Sequence, residues 1–158
     1  MRKLFTEFIG PPGALGLALL RLVVGLAFMM HGWMKVQHPL TWMGADSWAP
    51  GILQALAAFS EFGGGLALIL GLLTPIACFG IMCVMTTALF AVHLPMGQPF
   101  VAPPGAHGGS FELPLVYLAI VVALMTVGPG IYSLDALLFR KKPPLAPQPQ
   151  QSNIKVSA

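Results

Sequence analysis

Four long apolar runs are laid out along this chain, and their lengths and boundaries predict an all-α protein. The first covers about 14–36, the second Ile52 to Leu73, the third Ile76 to His93 and the fourth 112–131. At about 1.5 Å per residue the second run spans roughly 33 Å, about one hydrocarbon core. Thr74-Pro75 follows it, and proline disfavours helix in the residue before it, so runs two and three form a hairpin around a tight turn. Gly128-Pro129-Gly130 interrupts the fourth run. Beyond that break, Ser133 is placed to N-cap a short interfacial helix over 133–139. Gly10-Pro11-Pro12-Gly13 sets off an amphipathic N-terminal segment, 1–13, expected to lie along the membrane surface. The Pro-, Gln- and Ser-rich stretch 140–158 is expected to be a disordered basic tail.

Composition turns these runs into membrane spans. The 158 residues are 56% hydrophobic and 8% charged, against about 25% charge in soluble domains. No soluble catalytic domain fits between the spans. The net charge of +3 is not a nucleic-acid signature, because the positive residues gather near the two ends: Arg2 and Lys3, then Arg140, Lys141, Lys142 and Lys155. The loops 37–51 and 94–111 hold no lysine or arginine, so the positive-inside rule places both termini in the cytoplasm. An even number of spans agrees with that placement. The first run is too long and too charged for a cleaved signal peptide, and it is expected to be retained. The expected architecture is therefore a bundle of four antiparallel transmembrane helices in residues 14–139. Trp42 and Trp48, in the first long loop, suit an interface belt. Cys78 and Cys83 lie about 140° apart around one helix and cannot pair with each other.

Candidate chemistry begins at Glu61, near the middle of the second run. A carboxylate at that depth costs about 2.5–3.5 kcal/mol to insert and is too short to reach an interface. The first run offers Arg21, His31 and Lys35 as partners. Arg21, Gly25, Phe28, Gly32 and Lys35 share a stripe about 80° wide, and His31 lies beside Lys35 at i, i+4. On the second run Glu61 shares a face with Gly65, with Gly64 at its border. Glycines let helix backbones approach closely in membranes. The two faces are predicted to meet and to bury the cations against Glu61. More ordinary roles compete with this one: Arg21 and Lys35 can snorkel to opposite interfaces, and His31 can be a satisfied bundle histidine. His93 and Glu112 end and begin runs at one level and form a second candidate pocket, although Glu112 also suits a helix's first turn. His31, His38, His93 and His107 show no metal-site spacing, so no metal is expected. No nucleotide loop or nucleophile elbow is visible, and the chain carries no complete catalytic motif.

Several segments resemble the DoxX family of small bacterial membrane proteins. They are Arg21-x-x-x-Gly25 and Gly32-x-x-Lys35, then Glu61-x-x-Gly64-Gly65 and Leu70-Gly71-Leu72-Leu73-Thr74. Gly108-Gly109-Ser110-Phe111-Glu112 and Gly128-Pro129-Gly130-x-Tyr132-Ser133-Leu134-Asp135 follow. Their order and spacing cover Leu17 to Leu138. Pro75 departs from the family pattern, in which a basic residue often follows the threonine. The resemblance implies a four-helix fold in the bacterial cytoplasmic membrane. It also implies an association with oxidoreductase systems, quinone-linked or thiol- and sulfur-linked, that handle oxidative stress. On that expectation Glu61, Arg21, His31 and Lys35 line a quinone or proton-relay site. No haem, flavin or iron–sulfur motif is present, so electrons must come from a partner subunit. A small oligomeric transporter or channel, and a non-catalytic assembly subunit, are the alternative readings.

Overall fold

A computed structural model describes residues 11–44, 46–105 and 108–139, and the described residues form helices and loops with no strand. The expected tail, and most of the expected N-terminal amphipathic segment, lie outside them. Helix α1 is Gly13–Val36, α2 is Gly51–Leu70 and α3 is Thr74–Thr87. A π-helical segment, Ala88–His93, continues α3 without a break. Helix α4 is Glu112–Val127 and α5 is Leu134–Phe139. Three helices, α1, α2 and α3 with its π segment, are long and apolar enough to cross a membrane. Helix α4 is apolar but has 16 residues, or about 24 Å.

Two boundaries differ from those read along the chain. Helix α2 stops at Leu70 rather than Leu73 because Gly71 turns left-handed, at φ +62°. Leu72 N–H then donates to Ala67 O and Gly71 N–H to Leu68 O, closing a Schellman cap. Helix α4 stops at Val127 rather than 131, where Gly128 adopts φ +89°. The chain then crosses back over the start of α1, and a Cβ on Gly130 would lie 3.3 Å from Ala14.

Helix α1 packs along α2 backbone to backbone. A Cβ on Gly25 would meet Gly65 O at 2.6 Å, and one on Gly65 would meet Met29 N at 2.7 Å. A Cβ on Gly32 would collide with the backbone of Phe62. Gly64 faces α3 instead, against Ile81 at 3.2 Å. Lipid gives no hydrophobic push between helices, so this close packing is what holds the pair. The buried core joins Val24 and Phe28 of α1, Leu68 of α2, Cys78 and Ile81 of α3, and Val121 and Leu124 of α4. Phe28 reaches across to Tyr117 of α4, with ring centroids 5.0 Å apart. Outward faces are crowded with exposed Leu, Ile, Val, Phe and Met, a surface that suits hydrocarbon and not water.

A threonine bonded back to the preceding turn stands at the start of the π segment. The Thr87 hydroxyl donates to Cys83 O at 2.9 Å, the back-bonding that loosens a helix at its next turn. Leu94 N–H then reaches five residues back, to Leu89 O. The extra residue in that turn sets the position of His93 at its end.

Candidate functional site

Polar groups gather at both ends of the helix pair, and the two gatherings have different characters. At the long-loop end, Lys35 Nζ donates to Glu61 Oε1 at 2.6 Å. The Glu61 side chain is 3% exposed and that of Lys35 23%. Lys35 Nζ also sits 4.4 Å from the centre of the Trp42 ring, a cation–π contact on top of the ion pair. Glu61 Oε2 is buried and has no hydrogen-bond partner among the described residues.

Gln54 holds the loop above this pair. Its Oε1 accepts from Met43 N–H at 3.0 Å, and its Nε2 donates to Ala49 O at 2.8 Å. Its own carbonyl accepts from Trp42 Nε1 at 2.9 Å. Gln54 thereby fixes Trp42 over Lys35. A cavity of about 1470 Å³ opens beside the pair. Lys35, Glu61, His31, His93, Trp42 and Ser60 line it, within walls that are otherwise mainly apolar. His93 Nδ1 is hydrogen-bonded to Gln98 Oε1.

At the hairpin end the geometry is a fastening. Asp135 is fully buried, and both carboxylate oxygens accept backbone N–H groups of the α2–α3 turn: Leu73 N at 2.7 Å and Thr74 N at 2.9 Å. Asp135 N–H donates in turn to Gly71 O at 2.8 Å. Leu73 holds a left-handed backbone, φ +47°, which is costly for a bulky residue and is pinned by the first of these bonds. Arg21, 1% exposed, donates to Tyr132 O and to Leu68 O. Its guanidinium lies beneath Gly71, where any Cβ would collide with it. Ser133 Oγ accepts from Ala136 N–H at 3.0 Å and so caps α5.

The expected set of residues is therefore divided. Lys35 meets Glu61; Arg21 does not. The two cations share a stripe, but they are 14 residues apart, about 21 Å along the helix. Arg21 is neither snorkelled nor paired with Glu61, because it is enclosed in the hairpin-end junction near Asp135. His31 is exposed on the cavity wall. His93 lines the cavity, whereas Glu112 is exposed in the first turn of α4 and does not line it. Of the four glycines, Gly25, Gly32 and Gly65 lie at the α1–α2 contact and Gly64 at α2–α3.

The roles of three residues at these sites were not legible in the sequence, although Trp42 and Asp135 were named there for other reasons. Gln54 lies two turns before Glu61 on the same face and was a polar residue inside an apolar run, which was the available signal. Trp42 looked like an interface residue but is turned inward over Lys35. Asp135 was the only carboxylate after Glu112, and nothing local tied it to a turn some 60 residues earlier. Among the described residues, no group of three His, Cys, Asp or Glu side chains could hold a metal ion.

Comparison with known proteins places this geometry in a family context. The DoxX family profile matches residues 16–94, half of the chain. An uncharacterized protein of Haemophilus influenzae is 33% identical over 126 residues, covering 79% of this chain and 92% of that protein. The inner membrane protein YqjF of Escherichia coli is 30% identical over 136 residues, covering 80% of this chain and 94% of that protein. An uncharacterized membrane protein of Mycobacterium tuberculosis is 30% identical over 149 residues, with 84% and 85% covered. No solved structure matches the chain.

Proposed function

The chain belongs to the DoxX family of integral membrane proteins, and from that premise we propose that it is a membrane component of an oxidoreductase system. In this reading α4 and the segment after it complete a fourth span, both termini lie in the cytoplasm, and the membrane is the bacterial inner one. The E. coli relative's description as an inner membrane protein supports the location. The lysine- and arginine-free long loops support the orientation. Reporter fusions check it: a fluorescent protein after residue 139 should fluoresce and alkaline phosphatase there should be inactive. The reverse pattern would overturn the topology.

The reading rests above all on one observation, the Glu61–Lys35 pair in the wall of a large, mostly apolar cavity. A buried ion pair is expensive and is weak evidence for stability alone. Beside an apolar cavity, it gives a lipid-soluble ligand one charged contact at its head. We assign that ligand to the quinone class, which the residues fit: the volume accepts an aromatic ring and part of an isoprenoid tail, and Lys35 can donate to a ring oxygen. Bound quinone supplies two-electron, two-proton chemistry. Glu61 would hold or release a proton at its carboxylate, and Lys35 would orient the head and balance charge. His31 and His93 stand on the same wall as further proton carriers. Electrons would enter from a partner protein, with thiol or sulfur compounds as donors of suitable chemistry.

Purification in native lipid nanodiscs followed by mass spectrometry is the test. Ubiquinone or menaquinone should copurify above the level of the surrounding lipid and should fall at least about fivefold in a Glu61→Gln, Lys35→Met double variant. Equal quinone in both preparations would overturn the assignment.

A further inference from the structure

The same cavity carries a finer discrimination, one that rests on the quinone reading above. We propose that the site binds the reduced, hydroxyl-bearing quinol in preference to the quinone, with Glu61 Oε2 accepting a hydrogen bond from a quinol hydroxyl. An ionised carboxylate only accepts hydrogen bonds. Lys35 occupies Oε1 at 2.6 Å, while Oε2 is buried without a partner among the described residues. A buried acceptor left unmatched is costly, so a ligand that brings a donor gains more there than one that does not. A quinone offers acceptors alone; a quinol offers two O–H donors.

The other polar groups on the wall agree or are indifferent. Lys35 can donate to an oxygen of either form, so it does not discriminate between them. Ser60 and Ser110 both donate and accept, and they are equally indifferent. His93 bonds through Nδ1 to Gln98 Oε1. Because Gln98 Oε1 accepts, that bond takes up Nδ1 of the ring. Trp48 only donates, as Lys35 does, and His31, Thr86 and Tyr117 can donate or accept; the discriminating acceptor is Glu61 Oε2, which favours a donor on the ligand.

The cavity's shape points to the bilayer as the source. Trp42, Met43 and Ala49 from one loop, and Gly109 and Ser110 from the other, cover the long-loop end. Its remaining walls include Leu56 and Phe59 of α2 and Ile76 and Phe79 of α3, all more than half exposed on the lipid-facing surface. A molecule already dissolved in hydrocarbon can enter the cavity between α2 and α3 without crossing water, and its hydroxyl meets the buried Oε2 of Glu61 by displacing the side chains packed over that oxygen.

The experiment is anaerobic equilibrium binding of decylubiquinol and decylubiquinone to the full-length protein in detergent, with protein-free micelles as the partition control. Quinol is expected to bind at least about tenfold more tightly, because a site built to receive a hydroxyl rejects the analogue lacking it. Each tenfold would raise the midpoint potential of the bound couple by about 30 mV, readable by redox titration. Glu61→Gln puts a donor amide at this position and should abolish or invert the preference. Equal binding of both forms, or tighter quinone, would overturn the inference and leave the quinone reading standing. Binding of neither would overturn both. A preference retained in Glu61→Gln would remove Glu61 as its source. If that variant does not fold, the wild-type comparison of the two ligands decides alone.

Discussion

Replacing Lys35 by methionine should destabilise the protein by about 3–5 kcal/mol, the range for stripping one partner from a buried ion pair. Glu61 would then be a carboxylate 3% exposed at its side chain, with neither oxygen matched. Lys35 is itself 23% exposed, so the lower half of that range is the better expectation. Trp42 would lose the cation beneath its ring, which loosens the loop that Gln54 holds. Adding Glu61→Leu should restore most of the stability, because an apolar pair avoids the desolvation cost that the ion pair carries. Equilibrium unfolding in SDS mixed micelles measures both variants. A loss below about 1 kcal/mol for Lys35→Met would mark the pair as an ordinary exposed one. A double variant that is stable yet retains no quinone would separate the pair's role in binding from its role in folding. That separation matters, because single substitutions at a buried pair damage a structural site and a functional site alike.

Asp135→Ala carries the second large effect, also about 3–5 kcal/mol, for a different reason. Two backbone donors, Leu73 N–H and Thr74 N–H, lose a charged acceptor inside a buried junction, and bonds of that kind contribute about 1.5–3 kcal/mol each. The left-handed Leu73 loses its anchor, and Arg21 loses the nearby carboxylate. Asp135→Asn keeps one acceptor oxygen and should cost about half as much. The same unfolding measurement checks both, and an unchanged midpoint in Asp135→Ala would show that the junction does not fasten the hairpin. Quinone retained per folded molecule should stay at the wild-type level, since Arg21 and Lys35 mark levels about 21 Å apart along α1. On the proposed quinone reading, Lys35 and Asp135 variants are thus expected to share a stability phenotype and to differ in binding.

Much of this was legible along the chain. The apolar runs and the near absence of charge announced helices for a membrane, because hydrocarbon demands internally satisfied backbones. The depth of Glu61 showed that it needed a partner, and the 100° periodicity placed Arg21, Gly25, Gly32 and Lys35 on one stripe. Helix ends were less legible. Gly71 ended α2 early, since a left-handed cap closes a helix before the apolar composition changes, whereas the end of α4 fell at the Gly128-Pro129-Gly130 break visible along the chain.

The sequence by itself determined the helical class, the membrane setting and the angular position of each polar residue around its own helix. Only the tertiary structure decided which cation faces Glu61, because angle says nothing about axial level on a neighbouring helix. The glycine contacts set that level. With Gly25 against Gly65 and Gly32 against Phe62, the antiparallel register leaves Lys35 beside Glu61 and carries Arg21 to the far end. There the long-range return of the chain after Gly130 brings Asp135 to the turn. Periodicity is a property of one helix, whereas register is a property of two, and it is fixed where their backbones touch.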